Sequence, residues 1–177
     1  SGAGILAKAG GSITQAASVA LTSNGGDIIL SGTGQGSSGQ IHGVSVAYAA
    51  IAAGAGNISI NGASGATNNS HGINFWGGAT YAIYSTSGAL NIQAAGGYWG
   101  IVAGWQTPAG NVASTVYLGW NGASTITSGN VNIQSANTWG SQWLYNAGND
   151  TGNLSGSPFR INTTGSVTIG SRTTLNV

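Results

Sequence analysis

Five times along this chain a glycine is followed, two and four residues later, by an aliphatic side chain. The copies are Gly26-Asp27-Ile28-Ile29-Leu30, Gly56-Asn57-Ile58-Ser59-Ile60, Gly88-Ala89-Leu90-Asn91-Ile92, Gly129-Asn130-Val131-Asn132-Ile133 and Gly165-Ser166-Val167-Thr168-Ile169. Their glycines lie 30, 32, 41 and 36 residues apart. A drifting period of about 20 to 50 residues restricts a chain to a solenoid or a propeller before any other class. Within each copy the alternation has period two, which predicts a strand with one apolar face.

The second and third units show what fills the rest of the period. Residues 26–55 and 56–87 align in three segments. The first is the glycine-led strand, ending at Gly32 or Gly62. A polar Gly/Ser/Asn loop follows, and then His42-Gly43-Val44-Ser45-Val46 matches His71-Gly72-Ile73-Asn74-Phe75. A last apolar patch, around Ile51 or Ile83, precedes the next glycine. Three short strands in about 30 residues predict one rung of a three-sided β-solenoid with a loop at one corner. The whole chain, 1–177, reads as one all-β domain of about 5–6 such rungs, a parallel β-helix.

Later units are less regular. Residues 88–128 keep Gly100-Ile101 as the second strand, then insert a proline-containing loop before Val116-Tyr117-Leu118. Residues 129–164 lose the His-Gly pair and carry Trp139, Trp143 and Phe159. The opening segment predicts one more rung, with strands at Ile5-Leu6, Ser12-Ile13-Thr14 and Val19-Ala20-Leu21. Nothing in the sequence resembles a capping helix.

Stacking fixes which side chains meet. Parallel rungs sit about 4.7–4.9 Å apart, so five to six rungs make a rod of roughly 25 Å. Ile28, Ile58, Leu90, Val131 and Val167 are expected to form one inward ladder, and Leu30, Ile60, Ile92, Ile133 and Ile169 a second. Each buried aliphatic side chain contributes about 1.5–3 kcal/mol. Outward, Asn91 with Asn132 and Gln93 with Gln134 are expected to form amide ladders. Glycines are expected to turn the corners.

Composition agrees with a stack. Only 3% of residues are charged, against about 25% in an average globular domain. Like charges repeated on adjacent rungs would repel down a ladder. The apolar share is 41%, and its aliphatic residues fall in register, which argues for order rather than disorder. A formal charge of +1 offers no basic face for nucleic acid and no polybasic patch for anionic lipid. No apolar run reaches the roughly 18 residues that span a bilayer. The absence of cysteine excludes a disulfide framework. The chain opens Ser1-Gly2 without methionine or signal peptide, which predicts a processed region or an excised piece of something longer.

The glycine-led strand, the Gly/Ser/Thr loop, the His-Gly-led second strand and the apolar patches before the next glycine resemble the passenger repeats of filamentous-haemagglutinin-like exoproteins. Those proteins are exported by the two-partner route in Gram-negative bacteria. The resemblance covers most of the chain and is clearest from Gly26 to Ile133. It implies a right-handed parallel β-helix at the bacterial cell surface, extracellular, with an adhesive or matrix-building role. The family's secretion-domain motifs are not found here, so it implies a stretch of repeat shaft. No catalytic residue carries over.

Chemistry is sparse. Glycan-cleaving β-helices need paired carboxylates or calcium with a nearby base, and this chain has only Asp27 and Asp150. Asp27 holds the strand-start place filled by Asn57 and Asn130, and Asp150 lies in a turn sequence, Asn149-Asp150-Thr151-Gly152. An enzyme ranks last, and no catalytic residue, metal or cofactor is assigned. His42 and His71 are expected to stack on adjacent rungs. Two histidines without a third ligand make a weak metal site, and Trp99 takes the equivalent place in the next unit. Gly32-Thr33-Gly34-Gln35-Gly36 has no following lysine or helix and fails as a phosphate loop.

Trp76, Trp99, Trp105, Trp120, Trp139 and Trp143 lie in loops or irregular units. Their flat apolar faces with a polar edge suit lateral packing or stacking on sugar rings. The first reading is thus a non-enzymatic structural protein, a shaft segment of an adhesin or a self-assembling filament. Its partners are flanking repeats of the same chain or further copies end to end. The alternative is a glycan-binding β-helix using the exposed Trp and Tyr, with glycans or a cell surface as partner. An ice-binding solenoid ranks below it, because the outward positions mix Ser, Asn, Ile and Thr. Nucleic acid and membrane insertion are excluded on charge and hydropathy.

Overall fold

The computed structural model describes residues 2–16, 19–36, 41–47, 50–65, 70–76, 80–96, 99–103, 105–107, 110–112, 115–119, 129–136, 144–146 and 159–169. Among them every regular element is a strand. In chain order these are β1 (Ile5–Ala9), β2 (Ile13–Gln15), β3 (Leu21–Thr22), β4 (Ile28–Gly34), β5 (Val44–Ala47), β6 (Ala50–Ala52), β7 (Ile58–Ser64), β8 (His71–Trp76) and β9 (Thr80–Tyr84). Then follow β10 (Leu90–Gly96), β11 (Trp99–Ala103), β12 (Trp105–Thr107), β13 (Gly110–Val112), β14 (Thr115–Leu118), β15 (Val131–Ala136), β16 (Leu144–Asn146), β17 (Phe159–Ile161) and β18 (Val167–Ile169).

Three parallel sheets contain all but β12 and β13. The first runs β1-β4-β7-β10-β15-β18, the second β2-β5-β8-β11-β16, and the third β3-β6-β9-β14-β17. Consecutive strands visit the first, second and third sheet in turn and then return one strand along. Each such passage is a rung. The arrangement is all-β and compatible with a three-sided parallel β-helix.

Register explains the repeat. Ile28 lies opposite Ile58, Ile58 opposite Leu90, Leu90 opposite Val131 and Val131 opposite Val167. Ile28, Ile58, Leu90 and Val131 are all 0% exposed, and Leu30, Ile60, Ile92 and Ile133 no more than 2%. These eight share one core with Val44, Ile73, Phe75 and Ile101 of the second sheet and Ile51, Ile83 and Leu118 of the third. Val167 departs from the expected inward burial: it is in register but 46% exposed. On that last described rung β18 pairs only with β15, so among the described residues no strand lies against the other side of Val167. The side chain of Ile169 lies outside the described residues.

Two further expectations are corrected. The strand expected at Val19-Ala20-Leu21 is only Leu21–Thr22. Val19 instead donates its N–H to the Ala16 carbonyl and is 48% exposed. The insertion before β14 contains an antiparallel hairpin, β12 with β13, with Trp105 opposite Val112. Strands of three residues carry no measurable alternation, so the sequence shows only a loop there.

Glycine serves both corners and close approach: Gly25 and Gly54, at φ 91° and 57°, turn the corner that leads into the first sheet. A Cβ on Gly88 would run into the Gly56 carbonyl oxygen one rung away. A Cβ on Gly72 would stand 2.7 Å from the Gly62 oxygen and 2.9 Å from the Ala94 Cβ. The His-Gly signature therefore marks where the second sheet presses against the first.

Candidate functional surface

With the aliphatic faces turned inward, the other face of each strand is what a partner can meet. On the first sheet the two expected amide ladders are present. Asn132 Nδ2 donates to Asn91 Oδ1 at 2.8 Å, and Gln93 Nε2 donates to Gln134 Oε1 at 3.4 Å. Both follow from register, which places Asn91 opposite Asn132 and Gln93 opposite Gln134.

A second polar row runs along the corner that leads into this sheet. Asp27 Oδ1 accepts the Asn57 N–H at 2.8 Å and its Nδ2 at 3.2 Å. Asn57 Oδ1 accepts the Ala89 N–H at 2.9 Å, and Asn130 Oδ1 accepts the Ser166 N–H at 3.0 Å. Asp27 thus does the same structural work as the two asparagines, and its carboxylate is committed to the neighbouring rung. Asp150 lies outside the described residues.

The preceding corner holds a feature that repeat reading missed. Ser85 Oγ donates to the Gly54 carbonyl at 2.8 Å and accepts the Gly88 N–H at 2.7 Å. Ser23 Oγ reaches the Gly26 carbonyl and, at 3.2 Å, that of Ala53. Thr163 Oγ1 reaches the Gly129 carbonyl and accepts the Gly165 N–H at 3.0 Å. A hydroxyl two or three residues before the repeat glycine was the available signal, hidden among the many Ser and Thr of the chain.

His42 and His71 do stack, with ring centroids 4.9 Å apart and planes inclined by 16°. His42 Nδ1 accepts the His71 backbone N–H at 3.2 Å, so its proton sits on Nε2. The Asn74 side-chain amide lies 3.0 Å from that nitrogen, and the satisfied arrangement turns the amide oxygen towards Nε2–H. Burial pushes the His42 pKa down from 6.5 to about 4. Trp99 stands opposite His71 on the next rung, so the row does not continue as histidine. Among the described residues no three His, Cys, Asp or Glu side chains come together.

Of the six tryptophans, Trp76 closes β8, Trp99 opens β11 and Trp105 opens β12. Their side chains, and Trp120, Trp139 and Trp143 altogether, lie outside the described residues, as do the contacts proposed for them. No helix among the described residues is long and apolar enough to cross a membrane.

No family model, curated protein or solved structure matches this chain. Its functional reading stands on the geometry above.

Proposed function

We propose that this chain is a length of extracellular, non-enzymatic shaft: a right-handed, three-sided parallel β-helix from a surface adhesin or self-assembling filament, of the filamentous-haemagglutinin-like kind. One observation carries the reading. Two columns of aliphatic side chains, Ile28-Ile58-Leu90-Val131 and Leu30-Ile60-Ile92-Ile133, run unbroken across four rungs with no more than 2% exposure. A core of that shape grows by adding rungs without changing cross-section, which suits a spacer.

Three further points support it. Connections between parallel strands of one sheet are overwhelmingly right-handed. The outward rows hold amides bonded from rung to rung, with little charge to place in a reaction. Among the described residues β1 and β18 each pair on one side only, and an open edge accepts another strand. That strand comes from flanking repeats of the same chain or from a second copy. Both give a thread.

Electron micrographs of the native material, labelled with an antibody against residues 56–96, test this. The label is expected along a rod of uniform width. Label confined to compact particles at high protein concentration would overturn the proposal.

A further inference from the structure

We infer that a trough on the outer face of the first sheet binds an unbranched, uncharged glycan strand. The inference goes beyond the shaft reading and does not rest on it, since a trough of this kind works on a rod or on an isolated domain. The trough is a shallow depression, open to solvent, of about 390 Å³, a volume within the roughly 300–1,000 Å³ of small-ligand sites. One side is the row Ser31, Asn61, Gln93, Gln134, in register across β4, β7, β10 and β15. The floor is strand backbone at Gly32 and Gly62.

The floor is low because side chains alternate between the two faces of a strand. Gly32 and Gly62 are inward positions, where a Cβ would strike the Gly43 or Gly72 carbonyl inside the stack, so only backbone faces outward between the rows that flank them.

The lining chemistry selects the ligand. None of the trough residues is ionisable, so a charged ligand would shed its water without gaining a counter-ion. β4, β7 and β10 are paired on both sides, so a peptide has no edge to extend. The lining offers no large aliphatic or aromatic side chain to anchor a protein partner. What remains is a line of hydroxyl and amide groups, donors and acceptors both, repeated about every 4.7–4.9 Å along the stack. A chain of sugar hydroxyls presents the complementary donors and acceptors. The Asn61 amide makes no hydrogen bond within the chain among the described residues. Lys8, opposite Ser31 on β1, continues the row one rung beyond the trough.

The test is titration of the 177-residue chain with neutral hexasaccharides of glucose and of N-acetylglucosamine, and separately with hexagalacturonate. NMR signals of the Asn61 and Gln93 side-chain amides are followed. Saturable shifts are expected with at least one neutral hexamer. Asn61→Ala combined with Gln93→Ala is expected to weaken binding at least tenfold, and Ser59→Ala, outside the trough, to leave it unchanged. If the double variant melts below the parent, Ala95→Leu narrows the trough without removing an amide and should weaken binding likewise. No shift with any neutral hexamer at millimolar concentration overturns the inference. So does binding of hexagalacturonate alone, lost on Lys8→Ala, which would identify an acidic ligand. A change in sedimentation of the double variant without glycan would assign the trough to a second copy and overturn it too.

Discussion

At the residue scale, two positions show how little slack the stack allows. Gly62 sits under the Gly72 carbonyl, and a methyl group there meets backbone that cannot rotate away. Gly62→Ala is expected to cost about 1–3 kcal/mol or more through overpacking. Gly10 has nothing within 4 Å of its hypothetical Cβ, so Gly10→Ala is expected to be neutral or to stabilise by about 0.4–1 kcal/mol. Urea melts of the two variants against the parent decide it. His42 gives the second case. Its folded pKa, about 4, lies below its unfolded value of 6.5. Between those values the unfolded chain binds more protons, so stability rises with pH. The contribution is complete above about pH 6.5 and is lost as pH falls towards 4, by about 2–3 kcal/mol. The ring facing it is His71, whose protonation would add like-charge repulsion across 4.9 Å. Thermal melts at pH 7 and pH 4.5 are expected to differ more for the parent than for His42→Gln.

At the element scale, the strand is a switch between two faces. In β7 the side chains alternate between buried and half-buried, so neighbours in sequence have opposite tolerances. Ile60 is 0% exposed and packed in the common core. Ile60→Asp is expected to prevent folding, because an unpaired carboxylate there costs at least several kcal/mol. Ser59→Lys, one residue away, is expected to stay within about 0.5 kcal/mol. Circular dichroism at 25 °C separates the two. This alternation is also why the first sheet could be read from sequence: β4, β7, β10, β15 and β18 all begin at the aliphatic residue two after the motif glycine. The amide ladders followed, since parallel register carries Asn91 onto Asn132 once Leu90 meets Val131. The β12–β13 hairpin was not legible, because only Trp105 and Val112 mark its two short strands. The trough was not legible either. It needs Thr33, Ala63 and Ala95 to fall in one row across three rungs, and no shared motif marks those three positions in the sequence.

At the scale of the whole molecule, each inner strand of the first sheet contacts the rung before and the rung after, and stability becomes a sum of neighbour terms. The inner rungs of this chain have two such neighbours, and the outermost described ones have one. The asymmetry is visible in the row that runs through Ile28: Leu90 is 0% exposed, whereas Val167, in the same row, is 46% exposed. Local opening should therefore begin at the ends. In native-state hydrogen exchange of the 177-residue chain, amides of Ile58, Ile60, Leu90 and Ile92 are expected to be the slowest. Those of Val167–Ile169 are expected to exchange by opening that leaves the centre closed. A core lesion should follow the same gradient. Ile92→Asp strikes a rung packed on both sides and is expected to unfold the chain. Val167→Asp puts its carboxylate where water already reaches and is expected to cost under about 1 kcal/mol. Equal protection at centre and ends, or equal damage from the two substitutions, would mean that the rungs do not act as a one-dimensional array, and the shaft reading would lose its energetic basis.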